Sequence, residues 1–474
     1  MRINRSLFGS RLRLRSTAIL ATILSLVTLA PTAALAQESS VNTFSPYTMY
    51  GPGNLNNAAS TAFVGMGGAS IGFRNDGFDT TVDTKLNLAN PASLSGLAPK
   101  SFIFDVGLAG SNVYLAQRDA TYGSLKSSFN TFNVNNMTLA FPLARRLGMA
   151  INISPFSQVG YRVHTDDYDY LADLGIVRYY YDGQGDVNEA KLSLGWEPFK
   201  RLSIGAEVTY MWGNIDRTYQ AVILNLTGSG EYSEISSRGG ATANTNERVS
   251  KAFGAFGVQY TAIDNPKSRL TLGATYRLGG KLRSTVTDYI PSNNIYGDTV
   301  RFAEMRSPLR LPQTIGAGVY FHRPKFAVGF DYVWQDWGSA NDYNLNTSAN
   351  PGVMNVRYVN TSTYKLGVQF TPDRYDIRGR FGSFWNRVTY KAGVRYNDFY
   401  MQFGGRKIAE KAITVGMDIP FAAMNVSQIS VGLELGERGT MQQNLIRERF
   451  FKINVGVMLF GRDYDYWFEK YKYN

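Results

Sequence analysis

The sequence predicts an all-β protein: a 14-stranded antiparallel transmembrane β-barrel with an N-terminal hatch segment inside the lumen. Three observations predict it: a five-residue phrase that recurs nine times, connections that alternate between short and long, and a secretory leader. The phrase is apolar, any residue, apolar, glycine, apolar, and it stands at 192–196, 202–206, 270–274, 326–330, 364–368, 390–394, 413–417, 429–433 and 453–457. Period-two alternation marks a strand with two unlike faces. In one copy Phe326, Val328, Phe330, Tyr332 and Trp334 share a face, and Ala327, Gly329, Asp331 and Val333 share the other. An apolar outside, a small and polar inside and closing aromatics describe a barrel that crosses a membrane.

The elements follow in order. Arg2, Arg5, Arg11, Arg13 and Arg15 precede an apolar run from Ala18 to Ala30, and Ala34-Leu35-Ala36 offers a small-x-small cleavage site. Residues 1–36 therefore read as a signal peptide cleaved after Ala36. Residues 37–100 alternate poorly and are rich in Gly, Asn, Ser and Ala; they read as a hatch. Strands then centre on 102–114, 129–141, 147–163, 187–196, 202–215, 249–262, 270–287, 309–321, 326–337, 361–370, 388–400, 412–420, 429–437 and 449–460. The barrel spans 101–461, and residues 462–474 read as a periplasmic tail. Turns such as 143–146 and 197–201 are short, whereas 216–247 and 338–357 are long and polar. Bacterial barrels place short turns in the periplasm and long loops outside.

Composition removes several function classes. There is no cysteine, so thiolate chemistry, disulfides and cysteine metal sites are absent. Only His164 and His322 offer imidazole. His322 falls in an expected short turn and reads as a solvated side chain, which leaves no evident nucleophile–base pair and no enzyme. Nothing in the sequence calls for a cofactor or a metal. The net charge of +12 falls to +7 without the leader, and no basic cluster interleaves with stacking aromatics, so nucleic acid is not a partner. Thirty tyrosines and twenty-eight phenylalanines suit a lipid-facing surface with interfacial belts.

The phase of the strands puts the glycines of the phrase inward together with Glu207, Arg277, Asp331, Lys391, Arg395, Glu434 and Lys452. The opposite phase would set charges in lipid at roughly 2–4 kcal/mol each near the midplane. These lumen charges either pair to hold the hatch or offer a cation to a carboxylate. The 147–163 strand carries Pro155 and Gly160, both anomalous inside a closed sheet. They mark either a lateral opening lined by Phe156 and Val159 or a bulge at the rim.

The hatch holds Gly65-Met66-Gly67-Gly68-Ala69-Ser70-Ile71 and then Leu88-Ala89-Asn90-Pro91-Ala92-Ser93-Leu94. This resembles the FadL-type family of outer-membrane hydrophobic-compound transporters, in which a glycine-rich stretch precedes an Asn-Pro-Ala turn. Leu311-Pro312 and the later Asp336-Trp337 resemble that family's Leu-Pro strand start and Asp-Trp strand end, and fourteen strands is its number. The resemblance implies uptake of long-chain fatty acids or other hydrophobic small molecules, a hatch built on Gly65, Gly67, Gly68, Asn90, Pro91 and Ala92, and lateral release into outer-membrane lipid. As an alternative it admits an accessory barrel of an outer-membrane secretion or assembly machine, binding protein partners through the long loops or the tail. An apolar lumen pocket would favour transport, and a lumen of paired charge the accessory role. The chain is expected in the outer membrane, as a monomer.

Overall fold

Alternation of this kind can bury a polar face only by closing on itself, and the sheet does close. A computed structural model describes residues 42–56, 60–75, 85–99, 101–119, 123–169, 175–226, 232–234, 241–282, 284–290, 300–301, 305–307, 309–340, 356–373, 376, 381–420 and 427–461. The expected leader, residues 37–41 and the expected tail fall outside these.

Fourteen strands make the barrel: β1 (Phe102–Asp119), β2 (Gly123–Ala144), β3 (Leu147–Asp169), β4 (Gly175–Phe199), β5 (Leu202–Leu226), β6 (Ala241–Asn265) and β7 (Ser268–Arg277), then β8 (Thr314–His322), β9 (Phe326–Gln335), β10 (Thr361–Phe370), β11 (Thr389–Phe403), β12 (Arg406–Pro420), β13 (Gln428–Gly439) and β14 (Ile446–Gly461). Each pairs antiparallel with the next, and β14 returns to β1 from Phe102↔Gly461 to Gln117↔Ile446. The expected strand number and order hold. Outward positions such as Val208, Ile413 and Leu435 are exposed large apolar side chains, while Asp331, Lys391 and Glu434 are buried within.

Three expectations need correction. The strand expected over 270–287 stops at Arg277, and Ser284–Ile290 forms a separate strand paired with β6. The connection at 216–247 is largely strand: β5 runs to Leu226 and pairs with β6 as far as Ala221↔Ala241. Beyond the membrane both faces of a strand are wetted, so apolar alternation stops while the hydrogen-bond ladder continues. His322 is not a solvated turn residue either. It ends β8, is 8% exposed, and lies with its ring 6.4 Å from that of Tyr320.

The repeated glycines have a structural reason. A Cβ at Gly195 or Gly205 would meet the Pro91–Ala92 backbone, at Gly273 the carbonyl of Ile71, and at Gly367 or Gly393 the Met66–Gly67 backbone. At Gly456 it would stand 2.7 Å from Cβ of Thr61. These glycines neighbour one another across the ladders, as in Gly195↔Gly205, Gly367↔Gly393 and Gly416↔Gly432. The N-terminal residues thus lie directly on a ring of bare wall. Replacing Gly393 by Val should drive the 65–68 backbone off this ring in a barrel that still folds. Planar-bilayer recordings should then show ion conductance in Gly393→Val and in a chain lacking residues 65–94, but not in the wild type. Silent variants would mean that this seat does not seal the lumen.

Candidate functional site in the lumen and its wall

The glycine-rich and Asn-Pro-Ala motifs adopt the local structure their residues favour. Gly67 and Gly68 take φ of 66° and 82°, the left-handed region that a Cβ disfavours. Asn90 caps a 3-10 turn, Pro91–Gly96, accepting from the Ala92 N–H at 3.1 Å, with Pro91 in the first position. Its side-chain NH2 also donates to the Val258 and Ile71 carbonyls, both at 3.2 Å. Gly148 and Gly195 of the wall sit against Leu94 and Pro91, so this turn lies at the short-turn end of the barrel.

Wall side chains bind the same segment through its backbone. Asp331 accepts from the N–H groups of Ser70 and Ile71 at 2.6 and 2.9 Å. Gln259 donates to the carbonyls of Ile71 and Phe73, both at 2.9 Å. Lys391 donates to the Ala62 carbonyl and pairs with Asp418, which also takes Lys85 of the hatch at 3.3 Å. Nearer the long-loop end, Arg217 reaches the Gly51 carbonyl at 2.8 Å. Tyr47 and Tyr50 are inserted among aromatic and aliphatic side chains that include Phe399, Tyr400 and Phe403. Burial pushes both phenols well above the ordinary tyrosine value.

A charge network crosses β11 to β14. Arg395 meets Glu410 at 2.9 Å and Glu434 at 2.5 Å. Arg438 bonds Glu410 and the Asn54 side chain, the latter at 2.9 Å. Glu448 receives Arg438 at 3.5 Å and the Ser45 hydroxyl at 2.5 Å. Lys452 lies 3.9 Å from Glu434. Cations and anions match three to three among these six residues. The lumen cavity beside them is about 200 Å³ and is lined by groups such as Asn54, Lys365, Arg395 and Glu434. Ligand sites usually occupy about 300–1,000 Å³ and are mostly apolar. Of the other expected lumen charges, Glu207 accepts from Ser193 at 2.9 Å, and Arg277 sits half-buried outside the network.

The wall is interrupted at the expected strand. β2 and β3 pair only from Met137↔Ile153 to Ala144↔Leu147, two residues short of Pro155. The β3–β4 register shifts between Pro155 and Ser157, so a bulge is also present. The chain's own N-terminal residues take over the β3 edge: Asn54↔Gln158 and Leu55↔Ser157 pair, the Asn56 N–H donates to Phe156 at 2.9 Å, and the Ser45 N–H to Gly160 at 2.8 Å. Val159 is 1% exposed and packs inward, not into the break, while Phe156 is half-buried against the same apolar cluster. On the β2 side, Asn135 accepts from Asn56 at 3.3 Å, Asn133 donates to the Asn42 carbonyl at 2.7 Å, and Phe129 stacks on Phe44 with ring centroids 4.2 Å apart. Sequence reasoning missed these asparagines. Asn133, Asn135 and Asn136 in one strand were the available signal, since asparagine is depleted from ordinary strands.

The fold and its filled interior define a class: membrane β-barrels with an N-terminal segment seated in the lumen. Within that class the chain belongs to the BamG family, whose family model matches residues 18–474. No curated protein matches it in sequence. Among solved structures it is similar to the Pseudomonas putida toluene transporter TodX (18% identity, TM-score 0.53, covering 87% of this chain and 99% of that one). It is also similar to a Pseudomonas aeruginosa FadL homologue (14%, 0.52, 86% and 99%) and to the Ralstonia pickettii toluene transporter TbuX (14%, 0.50, 87% and 99%). The barrel therefore has the fold of the FadL-like hydrophobic-compound channels, and the resemblance drawn from the motifs holds at the level of fold.

Removing one member of the lumen network leaves its partners charged and buried, at a cost of about 3–5 kcal/mol. Arg395→Met should lower the unfolding free energy by that order in urea titrations followed by tryptophan fluorescence. Adding Glu434→Gln should cost much less than the sum of the two single changes. Additive losses would show that the pair does not interact.

Proposed function

We propose that this chain is an outer-membrane barrel that works closed, as an accessory subunit which binds partner proteins in a secretion or assembly machine. One observation carries the reading: the lumen is filled by the chain's own N-terminal residues, held by matched charges and by hydrogen bonds to their backbone. The apolar side chains of the interior pack on one another around Tyr47, Met49 and Tyr50. The lumen charges act as anchors for the segment rather than as receivers of a carboxylate. On this reading the leader directs export and is removed after Ala36, and partners meet the long-loop end or the tail.

A second reading is favoured by the break between β2 and β3. It is a channel for hydrophobic compounds, long-chain fatty acids among them, with lateral release at Pro155. A ligand leaving sideways avoids rehydrating its apolar surface at roughly 25 cal/mol per Å². On this reading, proteoliposomes holding the wild type take up labelled long-chain fatty acid, and the double change Pro155→Val with Gly160→Val stops it.

Two measurements separate these readings. The full chain, extracted from its own outer membrane in mild detergent, should migrate on native gels in a complex of fixed stoichiometry with other outer-membrane proteins. Proteoliposomes holding the pure chain should take up labelled fatty acid no faster than empty ones. A chain that migrates alone and accelerates uptake would overturn the accessory reading.

A further inference from the structure

The outer wall formed by β11, β12, β13, β14, β1 and β2 lies outside the lumen and apart from the long loops and tail assigned to partners above. The registers place Tyr396, Lys411, Glu437, Arg449 and Tyr114 in one outward rung. Val394, Ile413, Leu435 and Phe451 form the next outward rung, toward the short-turn end. Ile413 is 65% exposed and Leu435 60%. The two rungs line an open groove of about 770 Å³ on the side of the wall that faces lipid.

The charge above this hollow is one-sided. Besides Lys411 and Arg449, alternation turns Arg447 and Lys126 outward one rung higher, on either side of Ala116, and Lys407 is exposed toward the same end of β12. Glu437 is the acidic residue among them, bonded to Arg449 at 2.8 Å. Among the described residues the next acid beyond it is Asp398, on β11 opposite Ala409. The outer wall of β3 and β4 differs at the same end: Arg162 pairs with Asp182 at 3.1 Å and Arg178 with Asp166 at 2.6 Å.

We infer that this hollow holds a phospholipid of net negative charge from the surrounding leaflet. Its acyl chain lies along Ile413, Leu435 and Phe451, and its phosphate sits at Lys411 with Arg447 above, beside the Glu437–Arg449 pair. The lipid-facing phase makes the occupant a lipid, and the unbalanced cations make its headgroup anionic. Arginine suits the phosphate because its planar N–H donors match two oxygens at once. The aliphatic stem of Lys411 can lie on the apolar rim while its head reaches the headgroup.

The test uses the full chain in detergent, offered equal amounts of phosphatidylglycerol and phosphatidylcholine with identical acyl chains, with bound lipids counted by native mass spectrometry. Retention should favour phosphatidylglycerol by at least about tenfold. The triple change Lys411→Gln, Arg447→Gln, Arg449→Gln should bring the ratio near one with the barrel still resistant to unfolding in cold detergent. If that variant does not fold, Glu437→Gln supplies the reading, because removing the acid should raise the ratio. Equal retention of both lipids by the wild type, an unchanged preference in the triple variant, or a Glu437→Gln ratio that does not rise would overturn the inference. So would displacement of bound phosphatidylglycerol by glycerol 3-phosphate, which would assign the cations to free phosphate.

Discussion

The close approach of the N-terminal backbone to the inner wall is the contact on which the rest of the structure depends. Backbone can lie on a sheet at that distance only where the sheet has no side chains, and the ring of glycines supplies such a surface. Once backbone occupies the lumen, its N–H and C=O groups must find partners, because a buried unpaired group costs about 1–3 kcal/mol. The wall answers with side chains that accept or donate as each group requires. Asp331 takes two N–H groups, Gln259 serves two carbonyls, and Thr414 accepts from the Gly67 N–H at 2.9 Å and donates to the Gly65 carbonyl at 3.1 Å. Inward polar residues are therefore tied to the segment they hold.

Much of this was legible in the sequence because a membrane imposes a strong pattern. Strand number, order and facing follow from apolar alternation, which lipid enforces on every strand that crosses it. The inward glycines were legible for the same reason, as the positions opposite the apolar ones. The outer reaches of β5 and β6 were not, since water on both faces removes the alternation that marks a strand. Nor were the partners of each charge. That Arg395 meets both Glu410 and Glu434 depends on the stagger between β11, β12 and β13, which no local pattern encodes. His322 was misread because its place at a strand end suggested water, whereas Tyr320 and the adjoining strands cover it.

The break at Pro155 shows why an anomaly in one strand can be right about place and incomplete about cause. Proline and a bulge explain why β3 leaves its ladder with β2, but they do not say what replaces that ladder. A bare strand edge at membrane depth would leave backbone groups unpaired in a medium with no water to receive them. Residues 45–56 supply the missing backbone partners along β3, and across the gap the side chains of Asn133 and Asn135 on β2 bond Asn42 and Asn56. The replacement comes from the N-terminal segment, a part of the chain whose composition gave no sign of pairing.

Wall and plug are therefore one device. The residues that pair with β3 at Ser157 and Gln158 belong to the same short stretch whose Ser45, Gly51 and Asn54 bond Glu448, Arg217 and Arg438 across the lumen. Withdrawing that stretch would bare the β3 edge and at the same time strip partners from buried charges. Neither loss can be taken alone, because the same backbone serves both. A ligand small enough to slip past the wall would still have to break the lumen network to reach it, and a partner that pulled on the segment would open the wall. The fold thus couples anything that acts on residues 45–56 to the integrity of the sheet, and the matched charges of β11 to β14 set the resistance to that motion.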